Sequence, residues 1–322
     1  MKKFALAAVA ALAVAAAPAF AADMPVKGVR AIAPPPPPAW DIAFGSAIAS
    51  DYVWRGITQS NHKPAVAAYF EPRYNINKDL QLYAGIGGAS IDFPNRAAAE
   101  IDFYGGIRPT WGRFAFDFGV WYYWYPGGQC FNAAVPGCLP NLPNPPTLNG
   151  NVAKGDWSFW EIYAKLNYTV TDNFGLGAFV YYSPNVLNTG ADGVFFGGNA
   201  KYTFVAMANG VTPYISAEVG HWALGTSDSF YGVPAFPNGI AYKDYTTWSV
   251  GIGWSWKVFT LDLRYTDTDL NKGDCNAFTS DQTASGTTNV TPINPSGLGS
   301  NWCGARFVAR LSADLTVNTN LK

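Results

Sequence analysis

Large apolar side chains recur at every second position along much of the chain, and the clearest example runs from Arg113 to Tyr125. One face of this stretch carries Phe114, Phe116, Phe118, Val120, Tyr122 and Trp124, and the other carries Arg113, Ala115, Asp117, Gly119, Trp121 and Tyr123. A period of two predicts a β-strand. The aromatic cluster at one end is typical of a membrane-barrel strand with lipid on one side and the lumen on the other. A core strand of a soluble β-sandwich has the same alternation, so the choice between a membrane barrel and a soluble sandwich depends on the other segments.

Twelve alternating segments follow one another from Trp40 onward. They are Trp40–Arg55, Val66–Ile76, Leu80–Ala89, Glu100–Arg108, Arg113–Tyr125, Phe159–Val170, Phe174–Tyr182, Val194–Phe204, Tyr214–Trp222, Tyr245–Trp254, Val258–Thr266 and Gly304–Leu315. Most have the roughly 9–11 residues that a tilted membrane strand needs. The pattern therefore predicts an all-β chain of about twelve strands.

The connections between these segments alternate in length. Short turns such as Asn77–Asp79 and Thr171–Asn173 follow the even-numbered segments, whereas most odd-numbered segments are followed by longer loops such as Pro126–Ser158 and Asp267–Cys303. Outer-membrane barrels have an even number of strands, short periplasmic turns and longer extracellular loops. We therefore predict a transmembrane antiparallel up-and-down β-barrel with both ends of the chain in the periplasm.

The composition indicates that only part of the protein surface faces water. Charged residues make up 13% of the sequence and aromatic residues 16%. After the first twenty residues, no apolar run approaches the ~20 residues of a membrane helix, so a membrane would have to be crossed by strands. The net charge of −1 gives no electrostatic reason to expect nucleic acid as a partner.

The beginning of the chain has the features of a secretory leader. Residues 1–21 combine two lysines, an Ala-rich apolar run and a small-residue end, which favours a cleaved signal peptide over a membrane anchor. Residues 22–39 contain five consecutive prolines and are predicted to form an extended periplasmic leader, either a plain spacer or a partner-binding segment. We assign residues 40–316 to the outer-membrane barrel and residues 317–322 to a C-terminal tail.

Four cysteines lie in the predicted loops, with Cys130 and Cys138 in the third long loop and Cys275 and Cys303 around the sixth. An even number of cysteines after a signal peptide indicates disulfides. Pairing Cys130 with Cys138 and Cys275 with Cys303 keeps each bridge within one loop. Because the cysteines lack Cys-x-x-Cys spacing or nearby histidines, we predict no metal site.

Several motifs resemble the TorF-type porin family of proteobacterial outer membranes. They are Ser50–Ser60, Glu100–Gly106, Tyr122–Gly127, Tyr181–Pro184 and Tyr265–Asp269, and the resemblance covers nearly all of the mature chain. It implies an outer-membrane barrel that acts as a channel. The chain departs from this pattern in its Pro-rich leader and in the end Val317–Lys322, which lacks the terminal aromatic residue that the barrel-assembly machinery reads in many such proteins.

The charged residues on the inward parity are the candidate functional groups. We predict that the lumen is lined by Arg55, Glu71, Arg73, Asp102, Arg108, Asp117, Glu161, Lys165, Lys201, Glu218, Asp262, Arg264, Arg306 and Arg310. Asp41, Asp51, Glu100, Arg113 and Asp314 share this parity, and cationic and anionic groups nearly balance. Such a lumen conducts small solutes if the groups stand apart, or closes if they pair across a narrow bore.

The sequence gives weaker support for an enzyme than for a channel. The histidines are His62, in the first long loop, and His221, on the outward parity where a phospholipase-like pair would sit. No nucleophile or orienting carboxylate is fixed beside His221 by sequence. We therefore predict a passive channel for small hydrophilic solutes, without enzymatic activity or cofactor, in the outer membrane of a Gram-negative bacterium. Its expected partners are lipid, solutes and the barrel-assembly machinery. A non-conducting structural or surface-interaction barrel and a lipid-modifying enzyme are the alternatives.

Overall fold

Strands dominate the computed structural model, which describes residues 38–130, 138, 151–286 and 290–321. The strands are β1 (Trp40–Ala49), β2 (Val53–Trp54), β3 (Ile57–Thr58), β4 (Ala65–Asn77), β5 (Leu80–Ala89), β6 (Glu100–Trp111), β7 (Phe114–Trp124), β8 (Phe159–Thr169), β9 (Phe174–Ser183), β10 (Gly193–Thr203), β11 (Thr212–Leu224), β12 (Tyr245–Trp256), β13 (Phe259–Thr268) and β14 (Arg306–Thr316). The helices are α1 (Lys272–Thr279) and α2 (Val317–Asn320), with 3₁₀ turns at Val186–Asn188 and Ser229–Tyr231. No helix in this part of the chain is long and apolar enough to cross a membrane. The proposed signal peptide and most of the Pro-rich leader lie outside the described residues.

Twelve of these strands close into one antiparallel barrel. Each strand pairs with its neighbour in the chain, and β1 closes the wall by pairing with both β4 and β14. Across this seam Ala47 lies opposite Ala67 on one side and Ser312 on the other. Closure removes the unpaired strand edges that hydrocarbon would not tolerate. The predicted twelve-stranded antiparallel barrel is therefore confirmed.

The first predicted segment was wrong at its end. It was expected to continue to Arg55, but β1 ends at Ala49 and a separate two-stranded hairpin, β2–β3, follows. The chain bends at Ser50 and Asp51, directly after β1, and Arg55 (φ 49°) and Gly56 (φ 79°) form the tight turn between β2 and β3, a conformation that cannot belong to an extended strand. The hairpin is therefore not part of the barrel wall.

The outer face of the barrel is apolar. Exposed side chains on the outward parity include Ile48, Val120, Val219 and Val250, each about half exposed. Tryptophans lie at both rims, with Trp111 and Trp256 beside short turns and Trp124 and Trp160 beside a long loop. Interfacial aromatic residues that flank an apolar band are the exterior of a transmembrane barrel. The chain thus has the architecture by which proteins cross the Gram-negative outer membrane.

The apolar exterior predicts that a charged side chain on the outward face of β7 destabilises the protein more near the middle of the membrane than at the rim. Phe118 and Phe114 both face outward, but Phe118 lies near the middle of the wall and Phe114 at the turn-side rim. Phe118→Arg should lower the free energy of unfolding by about 2–4 kcal/mol, and Phe114→Arg by only about 0–1 kcal/mol. Denaturant unfolding in lipid bilayers measures both values. Equal losses for the two variants would contradict the assigned membrane position.

Candidate functional site

The loop end of the barrel is filled by a packed aromatic core. Inward side chains of five strands contribute Tyr123, Phe159, Phe195, Trp222 and Tyr245, all of them buried. Loop residues pack against these rings, namely Ile57, Phe93, Trp157, Val186, Ile240, Tyr242, Phe278 and Trp302. We call these loop residues, together with the β2–β3 hairpin, the plug. The long loops therefore fold into the mouth of the barrel and close much of it.

Arg55, at the tip of the hairpin, fixes the plug to the wall. Its guanidinium donates two hydrogen bonds to the Glu161 carboxylate of β8, at 2.9 and 2.7 Å, and Glu161 is only 1% exposed. The guanidinium carbon lies 4.2–5.0 Å from the ring centres of Trp54, Tyr181, Phe195 and Trp222. Burial disfavours the charged guanidinium, but the Glu161 carboxylate holds the pKa of Arg55 above its ordinary value. The Arg55 guanidinium thus lies inside an aromatic cage, with Glu161 as its hydrogen-bond partner.

Further contacts hold the loops over the mouth. The Asp51 carboxylate accepts hydrogen bonds from Thr58 at 2.5 Å and Ser60 at 2.9 Å, and it lies 3.5 Å from the Arg306 guanidinium of β14. Two disulfides join Cys130 to Cys138 and Cys275 to Cys303. The second bridge is buried and connects α1 to the segment just before β14. The plug is thus tied to several strands.

Below and beside the plug lies a cavity of about 920 Å³ within the wall, and many charged side chains line it. Its lining includes Arg55, Glu71, Arg73, Asp102, Arg108, Asp117, Lys165, Lys201, Glu218, Asp262, Arg264 and Arg310. Glu161 and Arg306 share the inward parity but do not line the cavity, because the plug covers both of them. Arg306 donates to the Gly304 carbonyl as well as facing Asp51.

A cluster on the β4–β7 wall neutralises much of the charge on that side. Glu71 accepts hydrogen bonds from Arg73 at 2.6 Å and from Arg108 at 2.8 and 3.2 Å. Asp117 accepts from Tyr83 at 2.5 Å and from Arg108 at 3.4 Å. These charge-assisted bonds hold the side chains against the wall.

A second cluster lies on the β11–β13 wall. Asp262 accepts hydrogen bonds from Tyr214 at 2.7 Å and from Arg264 at 3.1 Å. Arg264 also donates to Ser216 at 2.8 Å and to Ser249 at 3.1 Å. Sequence reasoning missed the lumen tyrosines, among them Tyr83 and Tyr214, although their inward parity was a usable signal.

Three cations in the cavity have no carboxylate within 4.0 Å among the described residues. They are Lys165, Lys201 and Arg310. The Lys165 ammonium lies 4.4 Å from the ring centre of Tyr163, and that of Lys201 lies 4.0 Å from the ring centre of Tyr214. Arg310 is exposed to the lumen. The cavity therefore presents cationic groups that are free to meet a solute.

The histidines do not assemble an evident catalytic group within the described part of the chain. The His221 ring contacts the Thr246 hydroxyl at 3.1 Å and packs near Phe196, with no carboxylate partner among those residues. His62 lies 3.3 Å from Asp51, which the plug already engages. No cluster of at least three His, Cys, Asp or Glu residues suited to a metal occurs in the described ranges.

The Arg55–Glu161 pair generates a stability prediction. Glu161→Ala leaves the Arg55 charge buried without a partner and should lower the free energy of unfolding by about 3–5 kcal/mol. Arg55→Met with Glu161→Leu removes both charges and should recover most of that loss. Denaturant unfolding of the two variants measures the difference. Equal destabilisation by both changes would mean that packing, and not the unpaired charge, controls the stability of the plug.

The closed wall, apolar exterior and charged lumen define a transmembrane β-barrel with a plugged mouth. The chain belongs to a bacterial protein family of unknown function, Gcw_chp, whose model matches residues 35–292. The finer resemblance to TorF-type porins stays a prediction. The search of curated proteins found no match.

Several solved barrels are similar in fold. An outer-membrane channel from Pseudomonas putida F1 is 10% identical, with 87% of this chain and 96% of that chain covered and a TM-score of 0.42. The in-vitro folded OmpT, an outer membrane protein of Vibrio cholerae, is 10% identical over 87% of this chain and 98% of that chain, with a TM-score of 0.36. CdiB from Acinetobacter baumannii is 6% identical over 87% of this chain and 60% of that chain, with a TM-score of 0.39. The assignment to a membrane barrel rests on this chain's own strands and exterior.

Proposed function

We propose that the protein is a narrow outer-membrane channel for passive diffusion of small hydrophilic solutes, without enzymatic activity. The observation that carries this proposal is the cavity of about 920 Å³, lined by charged side chains, within a membrane-spanning wall. A polar interior lets a hydrophilic solute exchange its water for fixed side chains and dipoles as it passes. Outer-membrane lipid surrounds the wall in this proposal, and the barrel-assembly machinery acts during insertion.

The plug determines what kind of channel this is. Because it fills much of the loop-end half, the conductance should be small compared with that of a wide porin. Arg310 on β14 and Asp102 on β6 line different parts of the cavity, and neither has an oppositely charged partner within 4.0 Å among the described residues. Separated charges of this kind create a field that acts on charged or dipolar solutes. Diffusion is therefore expected to depend on the charge of the solute as well as on its size.

The packed plug also favours a second candidate, a non-conducting structural barrel. Planar-bilayer recording of the purified, folded protein separates the two. A channel should give discrete small conductance steps, whereas a structural barrel should insert without any. Release of labelled acyl chains from phospholipid in the same preparation would instead support a lipid-modifying enzyme.

Arg310 offers a test of solute selectivity. Arg310→Gln removes a cation that has no carboxylate partner among the described residues, so the remaining lumen carboxylates should shift the reversal potential toward cation preference. Arg113→Gln is the matched control, because Arg113 lies at the turn-side rim and donates to the Val170 carbonyl at 2.7 Å. Reversal potentials under a salt gradient measure both. An open channel with an unchanged potential in the Arg310 variant would remove this residue from the pore.

A further inference from the structure

The cavity lies to one side of the lumen. In the loop-end half of β1, β4 and β5 the inward residues are small, and Ala47, Ala49, Ala65, Ala67, Gly87 and Ala89 all border the cavity. At the same end of β7, β8 and β10–β12 the inward residues are the large rings of the aromatic core. We call the six small residues the small-residue wall. The aromatic rings therefore fill one half of the barrel, whereas a cavity remains in front of the small-residue wall, which is covered only at its loop end, where Ala65 is buried.

Exposure shows that the middle of the small-residue wall, around Ala67, faces open space, whereas Ala65 at its loop end is buried. Ala67 points inward, in register with Ala47 on β1 and Ala89 on β5, and yet it is exposed. Trp222, across the barrel, is 0% exposed. A Cβ added to Gly87 would meet no atom closer than 3.5 Å, which is ordinary contact distance. The space in front of this wall could therefore hold an added side chain.

The hairpin is held away from this wall. Val53, Arg55 and Gly56 of the hairpin, with Asp51 and Tyr52 just before it, border the cavity on one side. On the other side a Cβ added to Gly56 would come within 2.4 Å of Thr247 on β12 and of Thr268 on β13, so the hairpin backbone already lies tightly against these strands. The Arg55–Glu161 and Asp51–Arg306 contacts fix it in that position. A gap consequently remains between the hairpin and the small-residue wall.

We propose that solutes pass the plug off the barrel axis, through the gap between the β2–β3 hairpin and the small-residue wall, and that Ala47 and Ala67 set the width of this route. This proposal rests on the proposed channel function, and it identifies the solutes as slender hydrophilic molecules. Near its loop end it is bordered by Glu100, whose carboxylate accepts hydrogen bonds from Tyr52 at 2.5 Å and Tyr125 at 2.8 Å. These bonds keep the carboxylate in place beside the route.

Blocking the gap tests the route. Ala67→Phe places a ring in the open space and should reduce single-channel conductance to less than about half of its unsubstituted value. Ala68→Phe is the matched control, because Ala68 is the next residue on the same strand and its side chain shares the outward parity of the exposed Val66 and Phe70, so the conductance of this variant should stay unchanged. A conducting barrel in which neither substitution alters conductance would overturn the route and leave the channel function standing.

Thiol labelling provides a readout that does not require conduction. No free cysteine competes in the described residues, since the native cysteines are joined in disulfides. Ala67→Cys should react on intact cells with a membrane-impermeant thiol reagent, and Ala68→Cys should not. In a conducting barrel the reaction at position 67 should also reduce current. If the barrel conducts nothing, the proposed function fails, and labelling at position 67 still decides whether the gap opens to the exterior. If Ala67→Cys is not labelled, the gap does not open to the exterior and the proposed route is wrong.

Discussion

Hydrocarbon offers no partner for a backbone N–H or C=O group, and this constraint organises the whole chain. A set of strands satisfies it only by closing on itself, which the pairing of β1 with β4 and β14 accomplishes. Once the register is set, the side chains of each strand must alternate between lipid and lumen. The apolar exterior, the charged interior and the division between short turns and long loops all follow from this closure.

Closure also creates a problem that the loops resolve. A barrel of twelve strands encloses more space than its inward side chains can fill, unlike a barrel of eight. Here the large inward rings of β7–β12 and the loops fill one part, whereas the alanines and glycines of β1, β4 and β5 leave another part open. The Arg55–Glu161 pair lies where these parts meet, and its burial in an aromatic cage ties the position of the hairpin to the wall.

The local parts of this arrangement could be predicted from sequence, and the long-range parts could not. The period-two alternation predicted the strands and which of their side chains point inward, because this alternation is a property of neighbouring residues. The end of β1 was wrong because the turn at Arg55 and Gly56 depends on backbone conformation that alternation does not report. Arg55 and Glu161 were both candidates, but 106 positions separate them, and no local pattern indicates that they pair. The plug depends on many such contacts.

The free cations in the cavity bear on whether the interior is wet. A barrel that served only as a scaffold would be as stable or more so with apolar side chains filling its lumen, because buried charge carries a large desolvation cost. Lys165, Lys201 and Arg310 have no carboxylate within 4.0 Å among the described residues, so a charge at these positions would need water or a solute as its partner. Arg55, which does lie in a dry environment, has two hydrogen bonds to Glu161. The cavity below the plug holds both the paired clusters around Glu71 and Asp262 and these three side chains without a carboxylate beside them, and a hydrated interior would accommodate the latter.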